Sequence, residues 1–141
     1  YEYISHIEDA YLIFTVPLYS ESIKQQTVNP RKVYAIDTGL LNSMNLFSNE
    51  DRGYLFENIV FLALRKRNYK VFYYLTRERY EVDFLAENSQ GKKLLVQASL
   101  DISDAETLKR ETRSLELAKE RTGIPGIIVT PENYLEFIRK L

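Results

Sequence analysis

Glu81 and Asp83 stand two residues apart in the stretch RYEVDFLAENSQGKKLLVQAS, residues 79–99, and Gln97 and Ser99 repeat that spacing further on. Alternation with apolar residues on both sides of Asn88-Ser89-Gln90-Gly91 predicts two strands joined by a tight turn. A three-residue loop of Ser89, Gln90 and Gly91, with glycine last, is a favoured hairpin connection. It sets Asn88 opposite Lys92, Asp83 opposite Gln97 and Glu81 opposite Ser99; a loop one residue shorter or longer turns Gln97 to the other face. On this reading Glu81, Asp83 and Leu85 share one face, and Tyr80, Val82, Phe84 and Ala86 the other. Strands that alternate in this way also occur as solvated edges, with the acids simply facing water.

Carboxylates gathered on a hairpin are suited to a hard divalent cation. Mg2+ takes oxygen ligands, commonly one or two carboxylates with water and phosphate, and a bound metal acidifies water for attack on a phosphodiester. Glu57 is the further acid such a site needs. It lies in SNEDRGYLFENIVFLALRKRN among Gly53, Tyr54, Val60 and Phe61, where an unpaired carboxylate is costly and needs a cation or a hydrogen-bond partner. The alternative is an ion pair near the helix start, with Arg77 or Arg79 as partner. Glu57, Asp83, Gln97 and Glu81 are the candidate catalytic set, with Glu57 and Asp83 as metal ligands. Gln97 offers a neutral carbonyl where an acid is wanted and Ser99 a hydroxyl where an ammonium would help. Weakly held Mg2+ or Mn2+ and slow or absent turnover follow from that chemistry, unless Glu81 beside Asp83 restores the missing charge.

The elements that must position these groups read in order as helix (from about 48), strand (70–76), strand (80–87), strand (92–99), helix (opened by a Ser103-to-Glu106 capping box and stopped at Gly123), strand (126–130), and a last helix with Pro131 in its first turn. Before them, residues 1–9 end a helix. Residues 11–16 and 32–37 are strands able to pair, and the polar segment 20–30 reads as an exposed loop. The expected division is an accessory segment over 1–47, continuing an upstream module, and a folded domain over 48–141.

Composition narrows the field. The chain has 141 residues, 19 basic against 20 acidic, for a net charge of −1, which excludes binding to nucleic acid through bulk positive charge. A local patch remains open: Arg65, Lys66, Arg67 and Lys70 fall together, with Arg77 and Arg79 close behind and Tyr69, Tyr73, Tyr74 and Tyr80 between them. Arg65, Arg67, Arg77 and Arg79 are the candidate nucleic-acid contacts, to DNA or RNA; as a helix end and a turn they are equally a solvated surface. There is no cysteine, so disulfides and thiolate metal sites are excluded. No apolar run spans a membrane, and a cytoplasmic location is expected. Asp37-Thr38-Gly39 has the form of an aspartic-protease loop, but two such loops are needed, and a strand-ending turn is the simpler reading. QGKKL lacks the earlier glycine and the hydroxyl of a P-loop, so no ATP site is expected. Arg110, if turned toward Gln97, is a source of the positive charge Ser99 lacks.

Taken together, the segments IEDAYLIFTVPLYSESIKQQTVNPRKVYAIDTGLL, GYLFENIVFLALRKRNYKVFYYL, EVDFLA, VQASLDISDAETLKRE and GIIVT resemble the C-terminal domain of archaeal and bacterial AAA+-type ATPases, and through it the PD-(D/E)XK nuclease superfamily. The resemblance covers nearly the whole chain. It implies a restriction-endonuclease-like αβββαβ core with a β-rich accessory segment before it, and an upstream ATPase module as partner. Glu57 and Asp83 match the metal-site positions, Gln97 the altered third ligand, and Ser99 the position of the lysine, in a branch whose E-x-K motif has degenerated. It implies interaction with nucleic acid or another protein in place of efficient cleavage; the other outcome is an active metal-dependent nuclease with a migrated acidic site.

Overall fold

The computed structural model describes residues 2–43 and 52–141. It is a mixed α/β fold with two sheets. The expected caps at residues 48–51 lie outside the described residues. The chain runs α1 (Glu2–Asp9), β1 (Ile13–Val16), α2 (Ile23–Val28), β2 (Lys32–Ala35), α3 (Thr38–Ser43), α4 (Arg52–Lys66), β3 (Lys70–Leu75), β4 (Glu81–Glu87), β5 (Lys93–Ala98), α5 (Ala105–Thr122), β6 (Gly126–Val129) and α6 (Tyr134–Lys140). The order from α4 onward is the one expected.

β1 and β2 form an antiparallel pair, and β3-β4-β5-β6 a second sheet, antiparallel except for the parallel β5–β6 pair. α4 and the β1–β2 pair cover one face. Val60, Phe61 and Leu64 of α4 pack there with Val16, Tyr34, Val71, Tyr73, Phe84, Ala86, Val96 and Val129. α5 covers the other face, where Leu115 and Ala118 meet Val82, Leu85 and Leu95. The accessory segment thus shares a core with the larger sheet. α4 is apolar around most of its circumference because both α6 and the sheet crowd it; Phe56 meets Tyr134 with ring centroids 6.2 Å apart.

From Phe84 to Lys93 the hairpin register is the expected one, but the expected pairs of Asp83 with Gln97 and of Glu81 with Ser99 are not formed, because the pairing of β4 with β5 ends at Phe84 and Val96. Leu85 pairs with Leu95 and Glu87 with Lys93, and the loop closes through Asn88 N–H to Lys92 O and Gly91 N–H to Asn88 O, both at 3.0 Å. Gly91 has φ +77°, the left-handed conformation that a residue with a Cβ adopts at a cost.

The assignment of faces on β4 is corrected. Phe72 pairs with Leu85 and Tyr74 with Val82, so a single β3 residue, Tyr73, opposes two on β4, Asp83 and Phe84. This is a β-bulge, which bends its strand and re-aims side chains. It reverses the alternation: Val82 and Leu85 both join the α5 cluster, while Phe84 and Ala86 stay on the α4 face.

Two local expectations also change. Residues 20–30 are not all loop, because Ser22 accepts from Gln25 N–H and caps α2. α5 is capped by Asp104, which accepts from Thr107 N–H at 2.7 Å; Ser103 N–H is held by the Asp101 carboxylate instead. Gly123, φ +70°, ends α5 as expected. Among the described residues no helix is long and apolar enough to cross a membrane.

Candidate functional site

Lys32 opens β2, and alternation along that short strand puts Lys32 and Tyr34 on the face turned toward α4 and the bulge. The ammonium sits at the focus of three carboxylates: Glu81 Oε1 at 2.8 Å, Glu57 Oε1 at 2.9 Å and Asp83 Oδ1 at 3.3 Å. Glu57 comes from the second turn of α4, Glu81 from the start of β4 and Asp83 from the bulge. The Tyr34 hydroxyl donates to Glu57 Oε1 at 2.5 Å. Glu57 therefore has the cation and the hydrogen-bond donor its apolar surroundings demand, from Lys32 and Tyr34 and not from Arg77 or Arg79.

The second Asp83 oxygen, Oδ2, accepts the Ala98 N–H at 2.9 Å, and the Gln97 side-chain carbonyl accepts the Asp83 N–H at 3.2 Å. Each side chain satisfies a main-chain N–H on the opposite strand, at the place where the bulge interrupts the ladder. Gln97 is thereby a structural partner of Asp83 and does not reach the carboxylates. Its ladder partner is Ile128, and with Leu95 it follows the face under α5. Ser99 lies off the site as well: its hydroxyl donates to Asp101 O and its N–H to Val129 O.

Three carboxylates around one ammonium leave a surplus of two negative charges when all are ionised. Burial, and then the neighbouring Glu57 charge, push Asp83 up to about 7, against the opposing pull of Lys32 and the Ala98 N–H. For Lys32, burial disfavours the ammonium, but Asp83, Glu57 and Glu81 outweigh it and raise its pKa above the ordinary lysine value. Burial, reinforced by Glu57, likewise raises Tyr34, which stays a hydrogen-bond donor.

A prediction follows for pH. The folded chain keeps a proton on Asp83 to a higher pH than the unfolded chain does. The associated stability is therefore present below about pH 4 and lost as pH rises toward about 7. Asp83→Asn has no such proton to lose. Between those limits the wild type should lose stability relative to Asp83→Asn, read from denaturation curves at each pH. A constant difference contradicts the assignment.

The four candidate arginines do not form one patch. Arg65 lies in the last turn of α4 and Arg67 just beyond it, whereas Arg77 and Arg79 lie in the turn beyond the far end of β3, about 20 Å away along six strand residues. The Arg65 guanidinium lies 5.2 Å from the Phe14 ring centroid, and Arg67 donates to Ile138 O. Arg79, with φ +65°, closes a turn through its N–H to Thr76 O. Arg110 pairs with the adjacent Glu111, at 2.6 Å, in place of Gln97. Asp37 accepts from Leu40 N–H at 3.0 Å, the turn expected of Asp37-Thr38-Gly39.

A divalent metal fits this arrangement poorly. The focus of the carboxylates already holds an ammonium, one Asp83 oxygen is committed to Ala98, and the Gln97 carbonyl is committed to Asp83. What the fold and site define is an α/β domain with a half-buried carboxylate–ammonium cluster built jointly by α4 and the two sheets.

Two family descriptions divide the chain between them. Residues 52–140 match the family described as a domain of unknown function, DUF4143, and the chain belongs to that family. Residues 1–51 match a second family of the same description, DUF8612. Over 123 residues the chain is 37% identical to the uncharacterized protein MJ1544 of Methanocaldococcus jannaschii, covering 84% of this chain and 26% of that protein. The chain thus spans about a quarter of the relative's length. No solved structure matches it. The cluster draws Lys32 and Tyr34 from the first matched segment and Glu57, Glu81 and Asp83 from the second.

Proposed function

We propose that this chain is a restriction-endonuclease-like module of a larger AAA+-type ATPase, and that it serves protein contact without efficient phosphodiester cleavage. The order helix, three strands, helix, strand supports the first part, as does the meeting of a helix carboxylate with a hairpin aspartate. One observation carries the second: the Lys32 ammonium fills the point on which Glu57, Glu81 and Asp83 converge. Protein is favoured over nucleic acid because the arginines are divided between two ends of a strand. The accessory segment, by contrast, exposes large apolar side chains, with Tyr3, Tyr11, Ile23 and Val28 each more than 70% accessible.

A second reading is favoured by that same lysine. It brings to the acids the ammonium absent at position 99, as a metal-dependent nuclease would require. Incubation with single- and double-stranded DNA and RNA in Mg2+ or Mn2+ separates the two. We expect no cleavage above background from wild type or Asp83→Ala. Metal-dependent cleavage abolished by Asp83→Ala overturns the proposal in favour of the nuclease. Low-salt binding to DNA or RNA that is lost in an Arg65→Ala, Arg67→Ala double variant replaces protein by nucleic acid as the partner.

A further inference from the structure

Of the groups that make the fit to a metal poor, the one at the focus of the acids is itself a cation. We propose that Lys32 is a tethered counter-ion that takes the place of a divalent ion among Glu57, Glu81 and Asp83, so that the first matched segment holds the site of the second in a closed, metal-independent form. The inference stands whatever the domain contacts, since it concerns only what neutralises the three acids.

The geometry supports it in three ways. The Lys32 nitrogen is within 3.3 Å of an oxygen from each acid, and an ammonium and a metal cannot occupy that point together. The lysine is held there by more than its own charge. Asn58 of α4 bonds both Ala35 N–H (2.8 Å) and Ala35 O (3.0 Å), three residues along β2, and Tyr54 donates to Val33 O. β2 is thus fastened to the helix that carries Glu57. Finally, Tyr34 and Lys32 share a single Glu57 oxygen, Oε1, so a cation approaching that atom must displace a hydroxyl as well as an ammonium. Glu81, the most exposed of the acids at 45%, marks the side open to solvent.

Removal of the tether should convert the cluster from metal-indifferent to metal-seeking, because hard oxygen ligands left without a counter-charge favour a divalent ion. The experiment is titration of the full chain with MnCl2 and MgCl2, by calorimetry and by melting temperature, for wild type, Lys32→Met and Lys32→Arg. We expect no saturable binding by wild type or Lys32→Arg. Lys32→Met should melt lower in metal-free buffer, recover with Mn2+, and bind it at least tenfold more tightly than wild type. Equal affinity of wild type and Lys32→Met, or folded Lys32→Met that gains no affinity, overturns the proposal. The wild type alone supplies an independent readout if Lys32→Met does not fold. Acetylation of Lys32, followed by mass spectrometry, should run at least tenfold slower than that of the exposed Lys24 and Lys66. Equal rates overturn the tether.

Discussion

Tyr34→Ala should destabilise the chain by about 4 kcal/mol, and Tyr34→Phe by about half as much. The ring is fully buried, with centroids 4.5 Å from Phe61, 5.5 Å from Phe84 and 6.1 Å from Tyr54. Truncating such a ring costs roughly 3–5 kcal/mol in lost contacts and cavity. Phenylalanine keeps the stack and removes only the hydroxyl bond to Glu57, a charge-assisted bond worth about 2 kcal/mol where the carboxylate is largely shielded from water. Denaturant unfolding of the three proteins checks both values. A loss of only a few tenths in Tyr34→Phe would show that Glu57 is well hydrated and that the hydroxyl contributes little.

The second large effect is expected at Asn58. Asn58→Ala should cost about 3 kcal/mol, although the side chain touches none of the acids. Its amide is fully buried, and its bonds to both polar atoms of Ala35 replace two main-chain bonds that β2 lacks on that edge. Truncation orphans a buried N–H and a buried C=O, at roughly 1–3 kcal/mol each before relaxation. Asn58→Asp should be no better. It retains an acceptor for the Ala35 N–H but sets an oxygen against the Ala35 carbonyl and adds a charge one residue from Glu57. Hydrogen exchange at Ala35 locates the effect: its amide should exchange much faster in either variant, while β4 and β5 amides keep their order of protection. Unchanged protection at Ala35 refutes this role for Asn58.

Much of the larger sheet was legible because its signals are local. Gly91 at the end of a three-residue loop fixed the hairpin register from Glu87–Lys93 as far as Phe84–Val96. The bulge was not legible. Nothing in Val82-Asp83-Phe84 announces an extra residue, since it arises only when β4 is matched against β3, and it moves Gln97 off the face shared by the acids. Lys32 was missed for a related reason. It is 25 residues from Glu57 and 51 from Asp83, and only the packing of β2 on α4 brings them together. A weak signal existed in Lys32-Val33-Tyr34, two polar-tipped side chains two apart on a short strand, which points both to one face. Asn58, a lone amide within Phe56-Glu57-Asn58-Ile59-Val60-Phe61, was the clearer omission, because an amide in so apolar a helix must find partners. The arginines misled in the opposite sense: near in sequence, they are separated by the length of an extended strand.

The stretch after β1 has a bearing on how the chain can be divided. Leu18 forms a parallel bridge with Tyr73, supported by Tyr19 N–H to Tyr73 O at 2.7 Å and Tyr73 N–H to Pro17 O at 3.1 Å. This short run lies along the outer side of β3, the terminal strand of the four-stranded sheet. A fragment beginning at residue 52 would leave that strand's hydrogen-bonding groups open to a second molecule, together with the apolar side chains of Val71 and Tyr73 that the first segment covers. Such a fragment is expected to self-associate strand to strand, so the boundary between the two matched families is no place to cut the polypeptide.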